Sequence, residues 1–144
     1  MKNFYLTLFV PLVLLFNTSM AKEVNELLEN NGRMYEPGHE EPYTGKYLIY
    51  FESGQKRYEG NFVSGKMEGK QIKWHENGQM SYEANFKYGK QQGPYIFWYE
   101  NGQKSYEANY KKGKEDGIVT SWDREGNITK TEILENGKVI KEIK

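Results

Sequence analysis

The chain repeats itself every 24 residues. A Gly-Lys pair recurs at Gly65-Lys66, Gly89-Lys90, Gly113-Lys114 and Gly137-Lys138. A second glycine follows the first three pairs at Gly69, Gly93 and Gly117, and a third sits within each unit at Gly78, Gly102 and Gly126. Residues 41–64 carry the same pattern, with Gly45, Gly54, Tyr58 and Phe62 in place. A fixed period of this length restricts the chain to one supersecondary unit stacked on copies of itself.

The unit reads as a β-hairpin. In residues 69–88, Ile72 and Trp74 alternate with Gln71, Lys73 and His75, and Met80, Tyr82, Ala84 and Phe86 alternate with Ser81, Glu83, Asn85 and Lys87. Alternation on both sides of a glycine-bearing turn is the mark of two strands with one apolar face. A two-residue turn at Asn77-Gly78 would pair Trp74 with Ser81 and mix the faces. A three-residue loop Glu76-Asn77-Gly78, with Gly78 at positive φ, instead pairs Trp74 with Met80 and Ile72 with Tyr82. The same loop is expected at Glu100-Asn101-Gly102, Glu52-Ser53-Gly54 and Arg124-Glu125-Gly126, so the turn glycines are Gly54, Gly78, Gly102 and Gly126.

Stacking then predicts an all-β, elongated, single-layer antiparallel sheet with aromatic rows. One row is Tyr50, Trp74, Trp98 and Trp122; a second is Tyr58, Tyr82 and Tyr106; a third is Phe62, Phe86 and Tyr110. Gly60, Ala84 and Ala108 leave space between the last two. All three rows are expected on one face. Tyr95, Phe97 and Tyr99, which replace the polar Gln71, Lys73 and His75 of the preceding unit, are then expected on the other face as a partner-binding patch. Its rival reading is a surface covered by residues 22–40. The expected units are 41–64, 65–88, 89–112 and 113–136. The last is a polar cap in which Lys130 and Glu132 replace a tyrosine and an alanine, and residues 137–144 follow as a tail. Residues 22–40 read as a degenerate opening hairpin, with a one-turn helix over Val24, Leu27 and Leu28 as the alternative.

Residues 1–21 have the three parts of a signal peptide: Lys2, the apolar run Leu6 to Phe16, and Ser19-Met20-Ala21 as a cleavage site. Pro11 interrupts a run far short of the roughly 20 residues that span a bilayer. Cleavage after Ala21 and export to the periplasm, cell surface or medium are expected. With no cysteine in the chain, neither a disulfide nor a lipidated cysteine is possible. Removing Lys2 leaves 19 basic against 20 acidic residues from the starting 20 and 20. That balance gives no nucleic-acid footprint and little attraction to anionic lipid.

No catalytic, metal or cofactor constellation emerges. His39 and His75 stand alone, the Gly-Lys pairs lack the strand–GxxxxGK[ST]–helix setting of a phosphate loop, and the columns Glu59/Glu83/Glu107 and Asn61/Asn85/Asn109 read as solvated side chains with lysines nearby.

Tyr58-Glu59-Gly60-Asn61-Phe62 followed by Gly65-Lys66 and Gly69 resembles the MORN repeat. The WYENGQKSYE and GKxxG forms resemble its bacterial variant, found in proteins labelled YwqK-family antitoxins. The resemblance covers residues 41–136 and, weakly, 24–40. It implies stacked hairpins that act as scaffolds without catalytic residues. The expected function is a non-catalytic exported scaffold for a protein partner. The alternatives are an antitoxin or immunity-type protein for a cognate toxin, and a binder of glycans or choline-like ligands through the aromatic rows. A leader has no use in neutralising a cytoplasmic toxin.

Overall fold

A computed structural model describes residues 26–143. The signal-peptide reading and the cleavage point after Ala21 lie outside the described residues. Among the described residues twelve strands form: β1 (Leu28–Asn30), β2 (Arg33–Tyr35), β3 (Gly45–Tyr50), β4 (Lys56–Val63), β5 (Lys66–Trp74), β6 (Met80–Lys87), β7 (Lys90–Trp98), β8 (Lys104–Lys111), β9 (Lys114–Glu115), β10 (Gly117–Trp122), β11 (Ile128–Glu135) and β12 (Lys138–Ile143). Strands β3 to β12 make one antiparallel meander in chain order, with β9 and β10 both paired to β8. The stretch expected as a tail therefore supplies β12. The opening hairpin β1–β2 is a separate two-stranded sheet.

Two turn types alternate along the meander. Ser64-Gly65, Tyr88-Gly89, Lys112-Gly113 and Asn136-Gly137 hold positive φ at both residues, which defines the type I′ turn whose twist suits a hairpin. At the opposite margin lie the expected three-residue loops. His75 N–H donates to the Gln79 carbonyl (2.8 Å) and Gly78 N–H to the His75 carbonyl (3.0 Å), with Gly78 at φ 85°. Gly54, Gly102 and Gly126 repeat the pattern at φ 83–86°.

The registers overturn the expected assignment of faces. Trp74 does pair with Met80, but the next pair is Lys73 with Tyr82, so Ser81 is an extra residue in β6. The same bulge recurs between Ile49–Tyr58 and Tyr50–Lys56, between Phe97–Tyr106 and Trp98–Lys104, and between Ser121–Lys130 and Trp122–Ile128. One inserted residue reverses every side chain beyond it. Ile72 consequently pairs with Glu83, not Tyr82. The row of Tyr50, Trp74, Trp98 and Trp122 lies on the face opposite the tyrosine rows. Tyr95 and Phe97, paired with Ala84 and Tyr82, lie on the tyrosine face itself.

A second irregularity preserves parity. Between the pairs Glu59–Ile72 and Asn61–Glu68, three residues of β5 oppose the single Gly60. Gly69, at φ 67°, starts this wide bulge, which directs Gln71 over Gly60. Any Cβ at Gly60 would collide with the Gln71 amide and the Tyr58 hydroxyl. Gln71 is 1% exposed and fully bonded. Its amide nitrogen donates to the carbonyls of Asn61 (3.0 Å) and Glu68 (3.2 Å), and its oxygen accepts from the Tyr58 hydroxyl. A buried amide is tolerated on these terms.

The core is confined to the tyrosine face. At one end Tyr43, Tyr58 and Phe62 are buried, with Leu27 and Met34 of the opening hairpin packed on them beside Tyr47, Ile49 and Met67. Met34 N–H also donates to the Gly65 carbonyl (2.9 Å). The N-terminal segment thus covers part of the first unit. At the far end Ala108, Val119 and Leu134 close a second cluster against Tyr106 and Tyr110.

Candidate functional site

Between these two covered ends the tyrosine face carries a continuous ring cluster. Strands β6, β7 and β8 bring Tyr82, Tyr95, Phe97, Tyr106 and Tyr110 together. Tyr95 is the hub, with centroids 5.4 Å from Tyr82, 5.2 Å from Phe97, 6.4 Å from Tyr106 and 4.8 Å from Tyr110. Phe97 lies 5.1 Å from Tyr82 and 6.3 Å from Tyr106. The tilted and edge-on geometries are those that ring quadrupoles favour. Tyr95 takes the position of Gln71, so a ring fills the space that the amide fills one unit earlier. Ala84, 0% exposed, and Ala108, 3% exposed, are the small residues paired across from it.

The cluster is packed from below and open above. Phe97 remains 36% exposed. At one side the Lys73 ammonium sits 5.4 Å over the Tyr82 ring. At the other, the Glu115 carboxylate accepts from the hydroxyls of Tyr106 and of Tyr110 (3.1 Å). Burial pushes these phenols up. Tyr110 rises to about 12, with the Glu115 hydrogen bond adding to the burial. Tyr82 and Tyr106 rise further, and Tyr95 rises with burial as its largest cause. All stay neutral at physiological pH and act as an apolar surface edged with hydroxyls.

Tyr99 does not join this platform. Its hydroxyl donates to the Trp122 carbonyl (2.8 Å), as His75 Nε2 does to the Trp98 carbonyl (2.9 Å). Because a carbonyl only accepts, Nε2 of His75 carries a proton. Tyr99 and His75 are links from one unit to the next, and Tyr99 is not part of the patch. Asn77 and Asn101 make parallel links to the carbonyls of Glu100 and Arg124, both at 2.7 Å.

The opposite face carries a column of ion pairs. Glu59 pairs with Lys46 (2.6 Å) and Lys56 (2.7 Å), Glu83 with Lys70 (2.8 Å) and Glu107 with Lys104 (2.7 Å). The hydrogen bond from Lys46, then that from Lys56, holds the Glu59 carboxyl below the usual carboxylate range. The Lys56 ammonium also lies 5.7 Å from the Trp74 ring centroid, which places that tryptophan on the glutamate side.

One set of residues escaped the sequence reading. Thr44, Glu68, Gln92 and Asp116 each accept, through a side-chain oxygen, the N–H of the first turn residue 20 positions on: Ser64, Tyr88, Lys112 and Asn136. The signal was a recurring oxygen-bearing residue at one position of the repeat, concealed because its identity changes each time.

Residues 43–64, 67–88 and 91–112 each match the family described as MORN repeat variant. These three units are MORN-type repeats, which serve generally as scaffolds for protein or membrane interaction. No curated protein matches the chain.

Proposed function

We infer that this protein is a non-catalytic scaffold, exported by its leader, that holds a protein partner on the tyrosine face. The observation that carries this reading is the open ring cluster of Tyr82, Tyr95, Phe97, Tyr106 and Tyr110. Rigid aromatic side chains set in a packed floor make good interface anchors, because little conformational entropy remains to be lost. The residues 1–21 pattern supports export, and an exported scaffold meets partners in the envelope or outside it. The rings touch one another, so a quaternary ammonium group does not fit between them. This favours a flat protein contact over a choline-type cage.

The test is capture of a partner from envelope extracts by the full chain. Phe97→Lys places a charge in the centre of the platform and is expected to abolish capture. Ile118→Lys, at a residue 60% exposed on the opposite face, is expected to preserve it. Retention by a folded Phe97→Lys variant, or loss with Ile118→Lys alone, would move the contact to the tryptophan face.

A further inference from the structure

The tyrosine face has a second feature beside the ring platform. Over the first unit, Tyr47, Ile49 and Phe62 floor an open trough walled by Met34 and Met67. Two cations stand at its rim. Arg57 is the inserted residue of the β4 bulge, next to Tyr58, and Lys73 is the direct cross-strand partner of Tyr58. Neither makes an ion pair among the described residues. Each is held over a ring instead, Arg57 at 5.8 Å from the Phe51 centroid and Lys73 at 5.4 Å from that of Tyr82. Every glutamate of the opposite column has a lysine partner, whereas no carboxylate pairs with either cation of the trough among the described residues.

Resting on the protein-scaffold reading above, we propose that the trough binds an acidic, apolar segment of the partner chain: a carboxylate for Arg57 and Lys73, and an aliphatic or aromatic side chain for the space between Met34 and Met67. The chemistry follows from the geometry. Guanidinium and ammonium flank one tyrosine, so a carboxylate laid along this rim meets a cation on either side of Tyr58, and the planar guanidinium suits a two-point contact. Ring stacking orders the two cations before binding, which lowers the cost of fixing them. An extended segment presents residues i and i+2 on one side, about 7 Å apart. An acidic residue followed two positions later by an apolar one therefore fills rim and floor together. The open form of the trough suits a chain lying across it and leaves an acyl tail exposed to water. Lys73 also borders the ring platform through Tyr82, so one bound partner spans both.

The experiment uses methyl NMR on the full chain labelled at its five methionines. Met34 and Met67 wall the trough and Met80 sits outside it beside a hairpin loop, and substitution of each of these three assigns its signal. The probes are the peptide acetyl-Glu-Ser-Leu-Ser-Phe-amide and its Gln-for-Glu counterpart. The acidic peptide is expected to shift the Met34 and Met67 signals and not that of Met80. The neutral peptide should bind about tenfold more weakly, and Arg57→Gln combined with Lys73→Gln should remove that difference. Equal binding of both peptides would overturn the proposal. So would stationary Met34 and Met67 signals, including the case where residues 1–25 already fill the trough, or a shift produced only by phosphatidylglycerol vesicles. The titration involves no cellular partner, so it fails or succeeds independently of the Phe97 capture test.

Discussion

Gly60 and Gly78 are both glycines of the repeat, and each is required for a different reason. At Gly78, φ is 85° and an added Cβ would meet nothing within 4 Å. There the demand is purely conformational. At Gly60 the backbone is unexceptional and the demand is space, which the buried Gln71 amide occupies. Gly78→Ala is expected to cost about 1–2 kcal/mol through left-handed backbone strain. Gly60→Ala is expected to cost on the order of 1–3 kcal/mol by displacing Gln71 from its partners. Urea denaturation separates the two. Adding Gln71→Ser should recover part of the loss at Gly60 and none at Gly78. Recovery at both, or at neither, would contradict this division. Gly78 recurs in every unit while Gly60 gives way to Ala84 and Ala108, and only the turn position is explained by sequence. The Gln71–Gly60 contact depends on a wide bulge that no alternation pattern announces.

The hairpin is the scale at which sequence reasoning both succeeded and failed. Parity correctly selected the three-residue loop, because a two-residue turn would have mixed polar and apolar residues next to it. Parity then failed one pair later. The extra residue is Arg57, Ser81, Ser105 or Thr129 in successive units, so no residue type marks it. Without that insertion, strict alternation puts the tryptophan and tyrosine rows on one face and Tyr95 and Phe97 on the other, whereas the bulge reverses this. The bulge therefore gives a sharp prediction. Deleting Ser105 forces either Tyr106, Ala108 and Tyr110 out of the tyrosine face or Trp98 and its neighbours out of theirs. Losing one buried large side chain costs about 3–5 kcal/mol, so the deletion should unfold at least the third and fourth units. Ser105→Ala should remain within about 0.5 kcal/mol of the parent protein. Loss of the Tyr95–Tyr110 cross-peak in the deletion alone would be the spectroscopic sign. A deletion that melts like the parent would refute the bulge.

Over the whole molecule, stability rests on tyrosines that line one side of the sheet. Burial pushes the Tyr58 phenol up to about 12, with the neighbouring Tyr47 adding to the effect, and Tyr110 also reaches about 12. An unfolded tyrosine ionises near 10. Between these values the unfolded chain holds fewer protons than the folded one, so unfolding is favoured as pH rises. The stability linked to these phenols is complete below pH 10 and lost progressively from about pH 10 to 12. Urea midpoints should accordingly be flat across neutral pH and fall through that window, and Tyr58→Phe should shallow the fall.

The units are joined at both margins by their turns. On one side Gly89 N–H donates to the Met67 carbonyl (2.9 Å), Gly113 to Gln91 (2.9 Å) and Gly137 to Glu115 (2.8 Å), and on the other run the Asn77 and Asn101 links. The result is a sheet with an ion-paired glutamate column on its tryptophan face and a tyrosine face that is open at its centre. Which face a partner uses is the central question, and the chromophores report on it directly, because Trp74, Trp98 and Trp122 are all on one side. The deciding measurement is a comparison of the free chain with its captured complex by tyrosine nitration and acrylamide quenching of tryptophan. Protection of Tyr95, Tyr106 and Tyr110 with unchanged tryptophan quenching is the predicted result. Shielded tryptophans with tyrosines that still react freely would contradict it.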